Sequence, residues 1–133
     1  MQTGIQSGSD DEVRSVYQRR STTSSVLDFA ATCRRARVPV VFDLIFDNPL
    51  AGRDDKRRMI ELLLALPLPF KIYIYSLTVF PRTALAKDLL ERGLIGPDDI
   101  EGRATKSFRQ FRLSLDYPRP SEDTFWICLA ILS

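Results

Sequence analysis

The chain has 133 residues, 44% of them hydrophobic and 27% charged, and its 19 basic and 17 acidic residues give a net charge of +2. These values are typical of about one globular domain and include no clustered excess of lysine and arginine, so we expect no nucleic-acid partner. Because histidine is absent and cysteine occurs twice, neither a zinc site nor a nucleophile paired with histidine can be assembled from this chain alone.

The first third of the chain predicts a strand followed by two helices. Residues 2–7 form the strand. Ser9 then opens "SDDE", which has the pattern of a capping box. In this motif the Ser9 hydroxyl accepts from the Glu12 N–H, and the Glu12 side chain reaches back to the Ser9 backbone. The motif predicts a helix that starts here and ends near Arg19. After the polar segment "STTSS", apolar residues recur at helical spacing and predict a second helix over 24–37.

The middle of the chain predicts two further strands with a helix between them. The segment "VPVVFDLIF" (38–46) is apolar almost throughout, which is expected for a strand covered on both faces. A turn-rich segment, "DNPLAGRDD", leads to a helix over 56–66, which "PLPF" ends. The segment "KIYIYSL" (71–77) is the third strand.

The last third becomes less regular. "FPRT" is a turn, and a helix over 84–92 ends at Gly93. Residues 97–120 predict a loop and a helix, and Ser121 is placed to cap a last helix over 122–132.

The alternation of strands and helices predicts an α/β fold with a parallel sheet and right-handed crossover connections. A parallel strand packs between neighbouring strands and between helices on both faces, and three strands are few for such a sheet. We therefore expect the chain to be part of a larger domain. The alternative is a small three-layer domain with short edge strands.

The two cysteines bear on the cellular compartment. Cys33 and Cys128 lie far apart and have no metal-ligand spacing. Two unpaired thiols are typical of a reducing compartment, so we expect a cytoplasmic protein. No apolar run reaches the ~20 residues that a membrane-spanning helix needs, so we expect no membrane partner.

Asp43 is the most informative polar residue, because it interrupts an apolar strand, where an ionised carboxylate is costly unless it is hydrogen-bonded or paired. In one interpretation Asp43 caps a neighbouring backbone group or pairs with an arginine, and in another it lies on an exposed edge. In the functional interpretation its oxygens bind ligand hydroxyls near the carboxyl end of the sheet, where parallel sheets place their ligands.

Three other polar residues follow the predicted strands or the first helix. Gln6 ends the first strand at the same rim, either as an ordinary polar residue or as a ligand contact. Arg19 is a solvated arginine in one interpretation and a carboxylate-binding group in the other. Asn48, in "DNP", is expected to make a turn rather than to take part in catalysis. Gly4 and Gly8 permit either a close approach of backbone or a positive φ.

Four segments in order, "GIQSGSD" (4–10), "VYQRR" (16–20), "VVFDLIFDNP" (40–49) and "IYSLTVFPRTALA" (74–86), resemble the radical S-adenosylmethionine (radical SAM) enzymes. The likeness is closest to the branch that is associated with cobalamin (B12)-binding domains. It implies that residues 1–92 are the C-terminal half of a partial (β/α) TIM-type barrel, its strands four to six. Residues 93–133 are then a helical C-terminal extension.

The resemblance also implies a set of residues that bind S-adenosylmethionine. Gln6 and Asp43 would contact the ribose hydroxyls, with Ser7 beside them, and Arg19 would pair with the methionine carboxylate. The backbone around Leu77–Val79 would flank the adenine. The parent enzyme would cleave S-adenosylmethionine reductively at a [4Fe–4S] cluster to a 5′-deoxyadenosyl radical, with cobalamin as a further candidate cofactor.

The sequence departs from the family pattern in three places. The C-x-x-x-C-x-x-C motif that holds the cluster is absent, and two separated cysteines cannot replace it. Arg82 stands where relatives have glycine, and "DNP" replaces a glycine-containing turn.

The expected partner is therefore the missing N-terminal half of the barrel, and the chain alone should not cleave S-adenosylmethionine. The alternatives are a non-catalytic α/β module that binds a nucleotide-like ligand or a partner protein, and a remnant whose exposed edge strands associate.

Overall fold

The computed structural model of the chain describes residues 1–75, 77, 79–97, 100 and 121–133. It confirms the predicted α/β class, with three parallel strands alternating with helices. The strands are β1 (Gln2–Ile5), β2 (Val41–Ile45) and β3 (Lys71–Tyr75). The helices are α1 (Asp10–Ser15), α2 (Thr23–Arg35), α3 (Arg53–Ala65), α4 (Ala84–Glu91) and α5 (Ser121–Leu132).

The strand order in the sheet, β1-β2-β3, follows the order in the chain, and both pairings are parallel. In the register, Gly4 of β1 and Tyr73 of β3 flank Asp43 of β2. Because successive side chains of a strand point to opposite faces, Asp43 and its two neighbours share one face, while Phe42 and Leu44 point to the other.

The helices cover the face that carries Phe42 and Leu44. Both side chains are 0% exposed, and they pack in one apolar cluster with residues of α2, α3 and α5. The helical members of this first cluster include Ala30, Cys33, Met59, Ile60, Leu63, Ile127 and Ala130. Connections of the same hand between strands that follow in order bring their helices to the same face, which explains this one-sided arrangement.

The opposite face of the sheet, called here the open face, is only half covered. Val41, Asp43 and Ile45 are each half-buried, whereas the residues between them are buried. The prediction that this strand is covered on both faces is therefore wrong for the described structure. Val41 and Ile45 are apolar although the open face does not enclose them. The sequence therefore shows a continuous apolar run and not the alternation of half-buried and buried residues along β2.

A second apolar cluster lies at the carboxyl end of the sheet. Ala86 and Leu89 of α4 pack there with Leu77, Val79 and Ile100, and the cluster contacts Ile45, the last residue of β2. The predicted end of α4 is confirmed, because Gly93 follows it with φ 65°, a left-handed conformation that glycine adopts easily.

Helix α5 is held on α3 by charge as well as by apolar packing. Lys56 Nζ lies 2.5 Å from Asp123 Oδ1, with both side chains largely buried, and Arg53 Nε lies 2.8 Å from Glu122 Oε1 at the surface. The hydrogen bond from Arg53 holds the pKa of the Glu122 carboxyl below its usual range. The last helix is thus confirmed at its predicted place.

The first predicted helix is shorter than expected. Helix α1 ends at Ser15, and Gln18 has φ 51°, which the helical conformation does not allow. Apart from Pro97 and Ile100, the loop and helix predicted over 97–120 lie outside the described residues. Within the described ranges, no helix has the length and apolarity to cross a membrane.

Candidate functional site

The open face carries a carboxylate whose hydrogen-bond partner is a neighbouring side-chain amide. Gln2 Nε2 donates to Asp43 Oδ1 at 2.9 Å and to Asp43 Oδ2 at 2.7 Å. Among the residues that the structure describes, Asp43 has neither a backbone group nor an arginine as its partner, and it lies on the central strand of the sheet rather than at an edge. Both of its oxygens are directed to a position that a hydrogen-bond donor can reach from the open face.

Gly4 makes room for the side chain of Gln6 beside Asp43. A Cβ at Gly4 would lie 2.6 Å from Gln6 Nε2, which is closer than real contacts allow, so the Gln6 amide lies over the Gly4 backbone. Gly4 is the register partner of Asp43 in the neighbouring strand. The structure thus places the polar groups of Gln6 and Asp43 on one face of two adjacent strands.

Ser7 belongs to a buried network that joins the loops after β1 and β2. Its hydroxyl donates to Glu12 Oε2 at 2.5 Å and accepts from the Ser9 N–H at 2.9 Å. Asn48 Nδ2 donates to the other Glu12 oxygen at 2.7 Å and contacts the Tyr17 hydroxyl at 3.2 Å. We call Ser7, Glu12, Tyr17 and Asn48 the rim network, since it fixes the carboxyl-end rim of the sheet.

The rim network changes the role predicted for Glu12. The Ser9 hydroxyl accepts from the Glu12 N–H at 3.5 Å, so the helix cap is present. The Glu12 side chain, however, binds Ser7 and Asn48 and does not return to the Ser9 backbone. Half of the predicted capping box is therefore wrong, because a longer-range partner, Asn48, competes for the carboxylate.

Burial dominates the electrostatics of the rim network. It raises the pKa of Glu12 above its usual value, and the hydrogen bonds from Ser7 and Asn48 oppose this shift. Burial, with the nearby Glu12 charge, also raises the pKa of Tyr17. Glu12 is only 7% exposed. Its hydrogen bonds to Ser7 and Asn48 therefore serve to hold the loops after β1 and β2 in place.

Gly8 fixes the distance between this rim and helix α3. A Cβ at Gly8 would lie 2.3 Å from the carbonyl carbon of Arg58 and 2.3 Å from the Met59 nitrogen, both of which are backbone atoms of α3. The close approach predicted from the glycine is thus observed, and Arg58 Nη1 also reaches the Ser9 hydroxyl at 3.4 Å. The loop that carries Gln6 and Ser7 is therefore anchored from two sides.

The remaining candidate residues lie around the same end of the sheet without a described contact to Asp43. Arg19 is exposed, and its backbone N–H donates to the Val13 carbonyl at 3.0 Å. Leu77 and Val79 are buried in the second cluster, and the Leu77 N–H donates to Asp47 Oδ1 at 2.6 Å. Thr78, between them, lies outside the described residues.

The sequence interpretation missed Glu12, Tyr17 and Asn48 as a cooperating group. Asn48 does make the expected turn, with its Oδ1 accepting from the Leu50 N–H at 3.1 Å, but its amide nitrogen has the second role. The available signals were a carboxylate immediately before the apolar Val13 and an asparagine three residues after the end of β2.

The cysteine side chains do not fit an iron–sulfur cluster. Cys33 is buried in the first cluster on α2, and Cys128 is exposed on α5. A [4Fe–4S] cluster needs grouped thiolates, and this chain holds only two cysteines.

Comparison with known proteins gives no assignment. No protein-family model matches the chain. A search of curated proteins finds no match.

Proposed function

We propose that this chain supplies the ribose-binding part of an S-adenosylmethionine site in a radical SAM-type enzyme. The observation that carries the proposal is the placement of the Gln6 amide and the Asp43 carboxylate side by side on the open face. A carboxylate whose two oxygens both accept hydrogen bonds on this face suits the two hydroxyls of a ribose, and hydrogen bonds to a charged group are among the stronger ones. A neighbouring amide adds one donor and one acceptor.

The Gln2 side chain supports this assignment, because it occupies the position in which a ligand would donate. Its nitrogen reaches both Asp43 oxygens, at 2.9 Å and 2.7 Å. Gln2 is exposed, so its amide can turn into solvent when ribose hydroxyls replace it. The expected cost of the exchange is small, since one hydrogen bond replaces another.

The backbone at Arg82 also supports the family resemblance. The resemblance implies that relatives tend to have glycine at this place, and Arg82 has φ 65°, in the left-handed region that favours glycine. The loop after β3 thus has the conformation that a glycine would explain. The side chain at position 82 thus differs from the one that the resemblance implies, but the backbone has a conformation that favours glycine.

The partner in this proposal is the other half of a (β/α) barrel. Sequential strand order, helices on one face and polar groups on the other are the features of three adjacent barrel strands. The remaining strands would pair with the outer edges of β1 and β3. The iron–sulfur cluster and the reductive cleavage of S-adenosylmethionine belong to that other half, as does any part played by cobalamin.

A non-catalytic module that binds a nucleotide-like ligand is the second candidate. It is favoured by the internal hydrogen bonds of Ser7 and of the Leu77 N–H, which already have partners within the chain. Of the six candidate residues, Val79 is also buried, so Gln6, Asp43 and Arg19 are the three polar side chains left to bind a ligand. Those residues suit a nucleoside with an attached carboxylate.

Calorimetric titration of the chain with S-adenosylmethionine tests the proposal. We expect weak binding that Asp43→Ala abolishes, while Asp28→Ala, an exposed aspartate on α2, leaves it unchanged. Absence of binding by the unaltered chain, or equal affinity in the Asp43→Ala variant, would contradict it. Stronger binding of adenosine than of S-adenosylmethionine would favour the nucleotide-binding module.

A further inference from the structure

A cavity lies at the amino end of the sheet. Its volume is about 520 Å³, within the range of small-molecule sites. It lies between the end of α2 and the first residues of β2 and β3. Its walls are mainly apolar and include Val38, Val40, Phe42, Phe70 and three prolines. We call it the amino-end groove.

The described charges that line the amino-end groove are of one sign. Arg34, Arg37 and Lys71 line it, and no acidic residue of the described ranges does. Each of the three side chains is exposed, and none forms an ion pair with another residue that the structure describes.

The turn after α2 holds Arg37 at the groove in a conformation that arginine rarely adopts. The Arg37 and Val38 N–H groups donate to the carbonyls of Arg34 and Cys33, at 3.0 Å and 2.9 Å, which is the hydrogen-bond pattern that usually ends a helix at glycine. Arg37 has φ 56°, in the left-handed region. A glycine would fit this backbone with less strain but would place no cation at the groove.

From the apolar walls and from three cations that have no ion-pair partner among the described residues, we propose that the amino-end groove binds a small amphipathic carboxylate of the fatty-acid type. The hydrocarbon chain would lie against Val38, Phe70 and the prolines, which removes apolar surface from water. The carboxylate would lie among Arg34, Arg37 and Lys71, and the planar guanidinium groups suit it. Gln6 and Asp43 are not among the residues that line the groove, so this inference does not depend on the proposed function.

Titration with decanoate below its micelle concentration, and with decanol as the uncharged control, tests this inference. The groove should bind decanoate about three- to tenfold more tightly than decanol, as expected for ion pairs near the surface. Arg37→Gly should remove this preference while the turn stays intact, because glycine adopts the left-handed conformation. Arg20→Gln, which changes an exposed arginine away from the groove, should have no effect.

A second variant covers the case in which Arg37→Gly acts through the backbone. Val38→Asp places a negative charge in the groove wall and should weaken decanoate binding more than decanol binding. Equal affinities for the two compounds, an unchanged preference in both variants, or binding to anionic vesicles but not to monomeric decanoate would each overturn the inference.

Discussion

The side-chain nitrogen of Gln2 donates to both carboxylate oxygens of Asp43 on the open face of the sheet. This contact joins β1 to β2 in addition to their backbone pairing. Gly4 and the Gln6 amide lie next to it. It accounts for a carboxylate on a strand that the sequence shows as apolar. It also defines the hydrogen bonds that a ligand of this face would replace.

Removal of the Gln2 amide should strengthen ligand binding. In Gln2→Ala both Asp43 oxygens are free to accept from ribose hydroxyls, so we expect the affinity for adenosine to rise about two- to fivefold, the equivalent of one modest hydrogen bond. Calorimetry measures this change, with Asp28→Ala as the control. A loss of affinity in Gln2→Ala would mean that Gln2 itself contacts the ligand.

Substitution of Gly8 should destabilise the fold. A Cβ in Gly8→Ala would lie 2.3 Å from backbone atoms of Arg58 and Met59, which cannot move without shifting α3. We expect a loss of about 1–3 kcal/mol in the free energy of unfolding, measured by urea denaturation. Gly52→Ala is the matched control, since its Cβ would be 3.7 Å from the nearest atom. Equal stabilities of the two variants would contradict the close approach at Gly8.

The rim network should make stability depend on pH in a defined direction. Burial raises the pKa of Glu12 above the usual 4.5, so the folded chain holds the Glu12 proton more tightly than the unfolded chain. The contribution of Glu12 to the free energy of unfolding is therefore fully present below pH 4.5 and is lost as the pH rises through the folded-state pKa.

Urea denaturation of the unaltered chain and of Glu12→Gln at several pH values measures this contribution. The stability of the unaltered chain relative to Glu12→Gln should fall as the pH rises. Glu91→Gln, at an exposed position on α4, should not reproduce the trend. A relative stability that increases with pH would show that hydrogen bonds to the ionised Glu12 outweigh its burial.

The left-handed backbone at Arg82 predicts that glycine stabilises this position. Arg82 has φ 65°, so Arg82→Gly relieves steric strain and should raise the free energy of unfolding by about 0.5–1 kcal/mol. Arg35→Gly, the same substitution in the last residue of α2, should lower it by roughly the same amount. Thermal denaturation of both variants distinguishes them, and destabilisation in both would argue against the described turn.

Much of the fold follows from local patterns. The alternation of β-branched runs with amphipathic segments predicts the order of strands and helices, and Gly93 predicts the end of α4. The open face could not be predicted in this way, because Val41 and Ile45 are apolar although they are only half-buried. Hydropathy alone does not report which face of a strand its helices cover.

The candidate site was predictable only in part. Asp43 is conspicuous because it is charged within an apolar strand, and Gln6 follows from the end of β1. The contacts of Glu12 with Asn48 and of Gln2 with Asp43 join residues 36 and 41 positions apart, and they depend on strand register and loop packing. No local sequence signal specifies such pairs.

The central claim, that Asp43 binds ribose hydroxyls, is tested most directly by calorimetric titration with adenosine and with 2′-deoxyadenosine. The unaltered chain should bind adenosine about tenfold more tightly, because the 2′-hydroxyl donates to a charged acceptor. In Asp43→Ala this preference should disappear. Equal affinities for the two nucleosides in the unaltered chain, or the same preference in Asp43→Ala, would contradict the account.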